Sequence, residues 1–195
     1  FSQDIDFQDF TKKMQAGEWL ELPGNISEVF VDRQLTQNDG GIVGPISVVT
    51  AWNGAAWDDN CGYFLGGGHQ DYGGNEVYSY CWEGQNQFQW HVLMPPSKAD
   101  PDDKSQCPHP KEGPRSYHTY DGLTYVPDTK SIFIWGTVGF CMGNVMGTDE
   151  VAELVLQPKP AWKLHPKGPI NEFAHTAYND KSGKVYIWQG VRQAF

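Results

Sequence analysis

The stretch Gly66-Gly67-Gly68-His69-Gln70-Asp71-Tyr72-Gly73-Gly74-Asn75-Glu76-Val77-Tyr78-Ser79-Tyr80 decides how this chain is read. Tyr63-Phe64-Leu65 precedes it, so aromatic and aliphatic residues stand on both sides of a glycine-rich loop. Glycine supplies the positive φ angles such a loop needs, and the flanks have the residue types of packed strands. The stretch therefore predicts two antiparallel strands joined across the glycines.

Pieces of it recur along the chain. Glu76-Val77 is matched by Glu150-Val151, 74 residues on. The apolar run Tyr63-Phe64-Leu65-Gly66 is matched by Phe133-Ile134-Trp135-Gly136 and by Tyr186-Ile187-Trp188. Before each stands a small or hydroxylated run ending in an aromatic: Ala55-Ala56-Trp57, Leu123-Thr124-Tyr125 and Thr176-Ala177-Tyr178. Gly-Pro pairs lead in at Gly44-Pro45, Gly113-Pro114 and Gly168-Pro169. A tryptophan strand running to proline follows at Trp90 to Pro95 and Trp162 to Pro166, with an earlier copy at Trp19 to Pro23. The order is constant: Gly-Pro, strand A, turn, strand B, loop, strand C, turn, strand D. Four antiparallel strands per unit, repeated head to tail, describe an all-β fold of β-propeller blades.

The markers Gly66-Gly67-Gly68, Glu76-Val77-Tyr78, Trp90 and Pro114-Arg115-Ser116-Tyr117-His118-Thr119 resemble kelch-type propellers, and among them galactose-oxidase-like central domains. The resemblance covers residues 44–195, with blades over 44–96 and 113–166 and an incomplete one over 168–195. The double glycine departs to Gly136-Thr137 and Gln189-Gly190 in the later units. Residues 18–43 hold a closing strand at Trp19 and a linker. Residues 1–17 form an N-terminal segment in which Phe7, Phe10 and Met14 predict a short helix before Gly17. About two and a half blades plus one closing strand is fewer than the four to eight a propeller needs. The expectation is a piece of a larger propeller, or closure with further copies or another chain.

Composition limits the partners. The net charge of −10 repels a phosphate backbone and disfavours nucleic acid. No apolar run reaches transmembrane length, which excludes membrane insertion through a helix. Four cysteines allow two disulfides. Cys61 and Cys81 lie almost symmetrically about the first loop, so they face one another across the hairpin. Cys107 and Cys141 lie in loops before strand A and after strand B of the next unit, and form the second expected pair. Disulfides point to an extracellular or cell-surface protein.

Candidate ligand contacts are His69, Asp71, Tyr72 and Asn75 in the first B–C loop, although Gly73-Gly74 and local turn chemistry account for the same residues. His118 and His175 each precede a threonine on an expected inner strand A, where they serve packing or a shared ligand site. Arg115 is expected to pair with Glu76 or Glu150, or to meet a ligand carboxylate. Aromatics such as Trp52, Tyr72 or Phe140, where exposed, suit stacking on sugar rings, although most of the aromatic content is needed to fill the space between blades. No catalytic constellation and no metal motif appears in these residues, and no cofactor is expected. The resemblance implies copper only if the chain is part of a galactose-oxidase-like enzyme, and none of that family's copper motifs matches a position here. Three functions stay open: a recognition module binding glycan or protein, a copper or polysaccharide-acting enzyme with residues beyond Phe195, and a self-associating structural subunit.

Overall fold

The computed structural model describes residues 12, 14–19, 21–31, 43–66, 72–82, 88–105, 109–135, 138–141, 144–168 and 174–189, with backbone alone for 138–141, 144–147 and 189. Helix is confined there to a 3-10 turn at Ile26–Glu28 and one turn of α-helix, α1 (Ser47–Thr50). The rest of the regular structure is antiparallel β.

Strands β1 (Ala55–Trp57), β2 (Cys61–Leu65), β3 (Val77–Cys81) and β4 (Gln89–Met94) form a four-stranded sheet in chain order. A second sheet repeats that order with β6 (Leu123–Val126), β7 (Ser131–Trp135), β10 (Val151–Val155) and β11 (Ala161–Leu164). A third begins in the same way, with β12 (Ala174–Asn179) paired to β13 (Lys184–Gln189). A small three-stranded sheet joins β5 (Tyr117–His118), β8 (Val138–Cys141) and β9 (Asn144–Gly147).

The strands fall on the repeated apolar runs because alternate side chains share one face. Leu123, Ile134, Ala152 and Leu164 line up as one rung across the second sheet, and Tyr125, Ile132, Leu154 and Trp162 as the next. That face closes on Ala56, Tyr63, Leu65 and Val77 of the first sheet as a single core. The other face of the first sheet presents Phe64, Tyr78, Trp90 and Val92, which bury against Ile26, Phe30, Ile46 and Val48. Each fully buried side chain of this size contributes about 1.5–3 kcal/mol.

Cys61 and Cys81 are direct cross-strand partners joined by a disulfide, with Cα atoms 4.0 Å apart. The Cys107–Cys141 pairing lies outside the described side chains, as does the segment holding most of the expected N-terminal helix. No helix among the described residues is long and apolar enough to cross a membrane.

The described residues bear on three expectations. Glu18, Trp19 and Glu21–Pro23 lie in no strand, and Trp19 is 98% exposed. A strand needs an edge to pair with, and none of the described sheets gives it one. The segment is held instead through the Pro23 carbonyl, which accepts from the Tyr80 hydroxyl at 2.6 Å. Gly44-Pro45 leads into α1 and only then into β1. His118 is not on the first strand of its sheet: Thr119 to Gly122 turn the chain, with Tyr120 at φ +42°, so His118 lies on β5 and β6 starts at Leu123.

This topology separates two ends. Short turns at 58–60, 127–130, 156–160 and 180–183 lie at one, together with Trp82 and Phe88. The described parts of the longer connections, at 43–54, 72–76, 95–105, 109–122, 148–150 and 165–168, lie at the other, the loop end, which holds Trp52, Tyr72, Asn75, Arg115 and His118. Gly66 shows how tightly it is laced. Its φ is +99°, and a Cβ there would stand 2.4 Å from the Tyr117 carbonyl oxygen.

Candidate functional site

The loop end is built on hydrogen bonds between segments far apart in sequence. The Thr119 hydroxyl donates to the Leu65 carbonyl at 3.2 Å and accepts from the Gly54 N–H at 2.8 Å. The Tyr120 N–H donates to the Trp52 carbonyl at 3.3 Å. Further along, the Thr176 N–H and hydroxyl both donate to the Asp121 carbonyl, at 2.9 and 3.1 Å. These bonds seat 52–54, 117–122 and the start of β12 side by side.

On that seat three rings meet. Trp52 stacks on His118 with centroids 5.8 Å apart and planes at 24°, and Tyr120 stands edge-on to both, at 6.3 and 5.3 Å. His118 is buried, and its Nδ1 lies 2.9 Å from the Tyr120 hydroxyl. Burial raises the Tyr120 phenol above its ordinary range, so it stays a neutral hydrogen-bonding group. Trp52 is 55% exposed. Trp52 and Tyr120 have φ of +58° and +42°, a region that costs a non-glycine residue about 1–3 kcal/mol. The other two described residues of this kind, Phe88 and Lys130, sit in turns at the opposite end.

Next along the chain, Asp121 Oδ2 lies 2.9 Å from His175 Nδ1, with both side chains about half exposed or more. The His175 ring is held by stacking on Trp188, at 5.8 Å and 17°. His118 and His175 thus do not share one site. The first is a buried backing ring, and the second is a solvent-facing partner of Asp121.

Tyr72 and Asn75 are engaged within the fold. Tyr72 is 4% exposed and belongs to the core, so it presents no stacking face. Asn75 donates to the carbonyls of Glu112 and Pro114, both at 2.9 Å, and accepts from the Ser97 N–H at 2.8 Å. It pins the 95–114 segment. Glu76 is fully buried and accepts from the Tyr78 hydroxyl at 3.1 Å. Burial pushes its carboxyl above the ordinary range, and bonds from Tyr72, its own backbone and Tyr78 oppose that only in part. His69 and Asp71 lie outside the described residues, as does the Phe140 side chain.

Arg115 turns to Glu150 and not to Glu76. Its N–H donates to Glu150 Oε2 at 3.4 Å, its Nε lies 3.8 Å from Oε1, and its Nη2 lies 3.0 Å from His109 Nδ1. His109 also reaches Glu150 Oε1 at 3.0 Å and Asp103 Oδ2 at 2.9 Å. The His109 backbone N–H and ring, together with Ser105, hold the Asp103 carboxyl well below the usual carboxylate range. This Asp103–His109–Glu150–Arg115 cluster ties the 95–114 loop to the start of β10. Sequence reasoning missed His109, Asp103, Tyr120 and Asp121. The first two gave no signal, but Tyr120-Asp121 directly follows His118-Thr119 and was open to notice. Among the described residues no group of three His, Cys, Asp or Glu side chains is placed to hold a metal ion.

No protein-family model matches this chain, and a search of curated proteins returns no significant match.

Proposed function

We propose that the chain is part of a kelch-type, galactose-oxidase-like β-propeller that acts outside the cell or at its surface as a recognition module, binding a glycan through its loop end. The propeller reading is supported by two successive four-stranded sheets of the same strand order, packed face to face, and a third that starts in the same way. Their first strands β1, β6 and β12 are neighbours, as inner strands of adjoining blades are. On this reading the outer face of the third sheet, where Tyr186 and Trp188 are 50% and 51% exposed, receives another sheet of the same kind. The Cys61–Cys81 disulfide supports an oxidising compartment.

The observation that carries the function is the half-exposed Trp52 held at the loop end on a buried histidine. An exposed indole with a fixed ring plane suits a ligand with a flat apolar face and polar edges, which describes a sugar ring. The test is a glycan array probed with natively purified protein, followed by hydrogen exchange with the strongest array ligand. Protection at 50–54 and 117–122 is expected. Protection confined to the turns at 58–60 and 127–130, or an array without binders, overturns the reading.

A further inference from the structure

We infer that His109 is a proton-operated latch on the 95–114 loop, whose Nδ1 bonds Asp103 when it carries a hydrogen and Arg115 when it does not. The latch acts on how the loop end is held, whatever ligand the loop end takes.

Geometry forces the choice between partners. Asp103 Oδ2 lies 2.9 Å and Arg115 Nη2 lies 3.0 Å from the same ring nitrogen, His109 Nδ1. A carboxylate only accepts and a guanidinium only donates, while a ring nitrogen carries either a hydrogen or a lone pair. One nitrogen therefore satisfies one of these neighbours at a time. The other nitrogen, Nε2, lies 3.0 Å from Glu150 Oε1 and needs a hydrogen to bond it.

Two proton counts give two states. With both nitrogens protonated, the imidazolium donates to Asp103 and Glu150 and bridges the loop to the segment entering β10. With one proton left, two bonds survive if it stays on Nε2: the ring donates to Glu150, and the bare Nδ1 accepts from Arg115. A proton on Nδ1 would keep only the bond to Asp103, set the Nε2 lone pair against Glu150 and leave Arg115 facing an N–H. The neutral ring is therefore the Nε2–H tautomer, and Asp103 loses its ring contact. Asp103 keeps the His109 N–H at 2.8 Å and the Ser105 N–H at 2.9 Å, so the tip loosens without the loop coming away.

His109 is well placed for this role. The ring is 49% exposed, so it exchanges its proton directly with solvent. It stands where the tip of the loop begins: Ala99 bridges Pro110, and the Asp100 N–H donates to the His109 carbonyl at 2.8 Å. Asp103 faces it from the tip, Glu150 from the segment before β10 and Arg115 from the segment before β5. Next to Glu150, Asp149 is paired with Lys167 at 3.0 Å.

The test is long-range proton–nitrogen NMR of the histidine rings in the whole protein, which reads Nδ1 and Nε2 separately, across about pH 5 to 8, where histidine changes charge. Both His109 nitrogens are expected to be protonated at the acid end, and the Nε2–H tautomer to replace that state as pH rises. Amide exchange at 102–105, corrected for its intrinsic pH dependence, is expected to quicken by about threefold over the same titration, as loss of one partly exposed contact should. Asp103→Asn should abolish that step, because the amide side chain accepts from an N–H and donates to a lone pair equally well. Arg115→Leu should bring the Nδ1–H tautomer up to a comparable population, since each tautomer then keeps one carboxylate. Near-UV circular dichroism checks the packing of both variants, and the tautomer of the unaltered protein decides should Arg115→Leu fail to fold. A neutral Nδ1–H tautomer in the unaltered protein, a ring that keeps one state throughout, or an exchange step that persists in Asp103→Asn overturns the latch. A folded Arg115→Leu protein that stays wholly Nε2–H removes Arg115 as the alternative partner and overturns it as well.

Discussion

Gly66→Ala is expected to destabilise the protein by about 2–5 kcal/mol, in two separable parts. The backbone there has φ +99°, which costs an L-residue about 1–2 kcal/mol. The new methyl would also stand 2.4 Å from the Tyr117 carbonyl oxygen and 3.0 Å from Thr119 Cγ2. Real Cβ contacts essentially never fall below 3.0 Å, so the β5 backbone must retreat by about 0.6 Å, at an overpacking cost of about 1–3 kcal/mol. Gly183→Ala separates the parts. That glycine has φ +63°, but its nearest neighbour would be Asp128 Oδ2 at an ordinary 3.4 Å. Urea unfolding of the two variants should show Gly66→Ala as the costlier by about 1–3 kcal/mol at unchanged m. Because Tyr117 directly precedes His118, only Gly66→Ala should also alter the tryptophan near-UV signal. Equal losses for the two variants, or a Gly66→Ala protein with an unaltered signal, would refute the claim that strand β2 is wedged against the segment carrying the ring nest.

Three further expectations concern two carboxyls and the disulfide. The Glu76 carboxyl is raised by burial, so its neutral form favours the fold below the unfolded carboxyl range near 4.3, and that advantage is lost as pH rises through the folded value. Glu76→Gln, always neutral, should gain stability relative to the natural residue as pH rises, and a gap that does not vary between pH 4 and 8 would refute this. Burial also pushes Glu153 upward, but bonds from Ser131 at 2.8 Å, His165 at 2.8 Å and Lys163 at 3.1 Å outweigh it and hold the carboxyl low. Its contribution is therefore present above the ordinary carboxylate range and lost as pH falls through the folded value, so the penalty of Glu153→Gln should shrink on acidification. Replacing Cys61 and Cys81 together by alanine frees a loop spanning a sequence separation of 20, which chain entropy values at about 3 kcal/mol, read as a lower urea midpoint. A midpoint that does not move would mean the cross-link contributes nothing.

The sheets were legible because their strands carry a repeated signal. The runs Ala55-Ala56-Trp57 and Leu123-Thr124-Tyr125 became β1 and most of β6, and the tryptophans Trp90 and Trp162 lie in β4 and β11. The symmetric spacing of Cys61 and Cys81 was enough to set them opposite each other, since hairpin register fixes cross-strand pairs. Trp19 carries the same local pattern, but a strand exists only with an edge beside it, and the last blade expected to supply that edge is not among the described sheets. The β5–β8–β9 sheet was hidden for a related reason. Tyr117-His118 is too short to show a period, and its partner at Val138 lies 20 residues on, across the β6–β7 hairpin. For the candidate site, residue type identified His118, His175 and Trp52, but their roles depended on burial. Tyr72 and Asn75 looked like ligand contacts in the sequence, and the fold consumes both. His109 meets Glu150 only because the 95–114 loop folds back on the start of β10, which no spacing announces.

The most direct measurement is a crystal structure of the natively purified protein soaked with its strongest glycan-array ligand. The expected result is a sugar ring lying parallel to the Trp52 indole at van der Waals distance. A sugar bound only at the turn end, or a Trp52 ring covered by protein in the intact molecule, would contradict the proposed site.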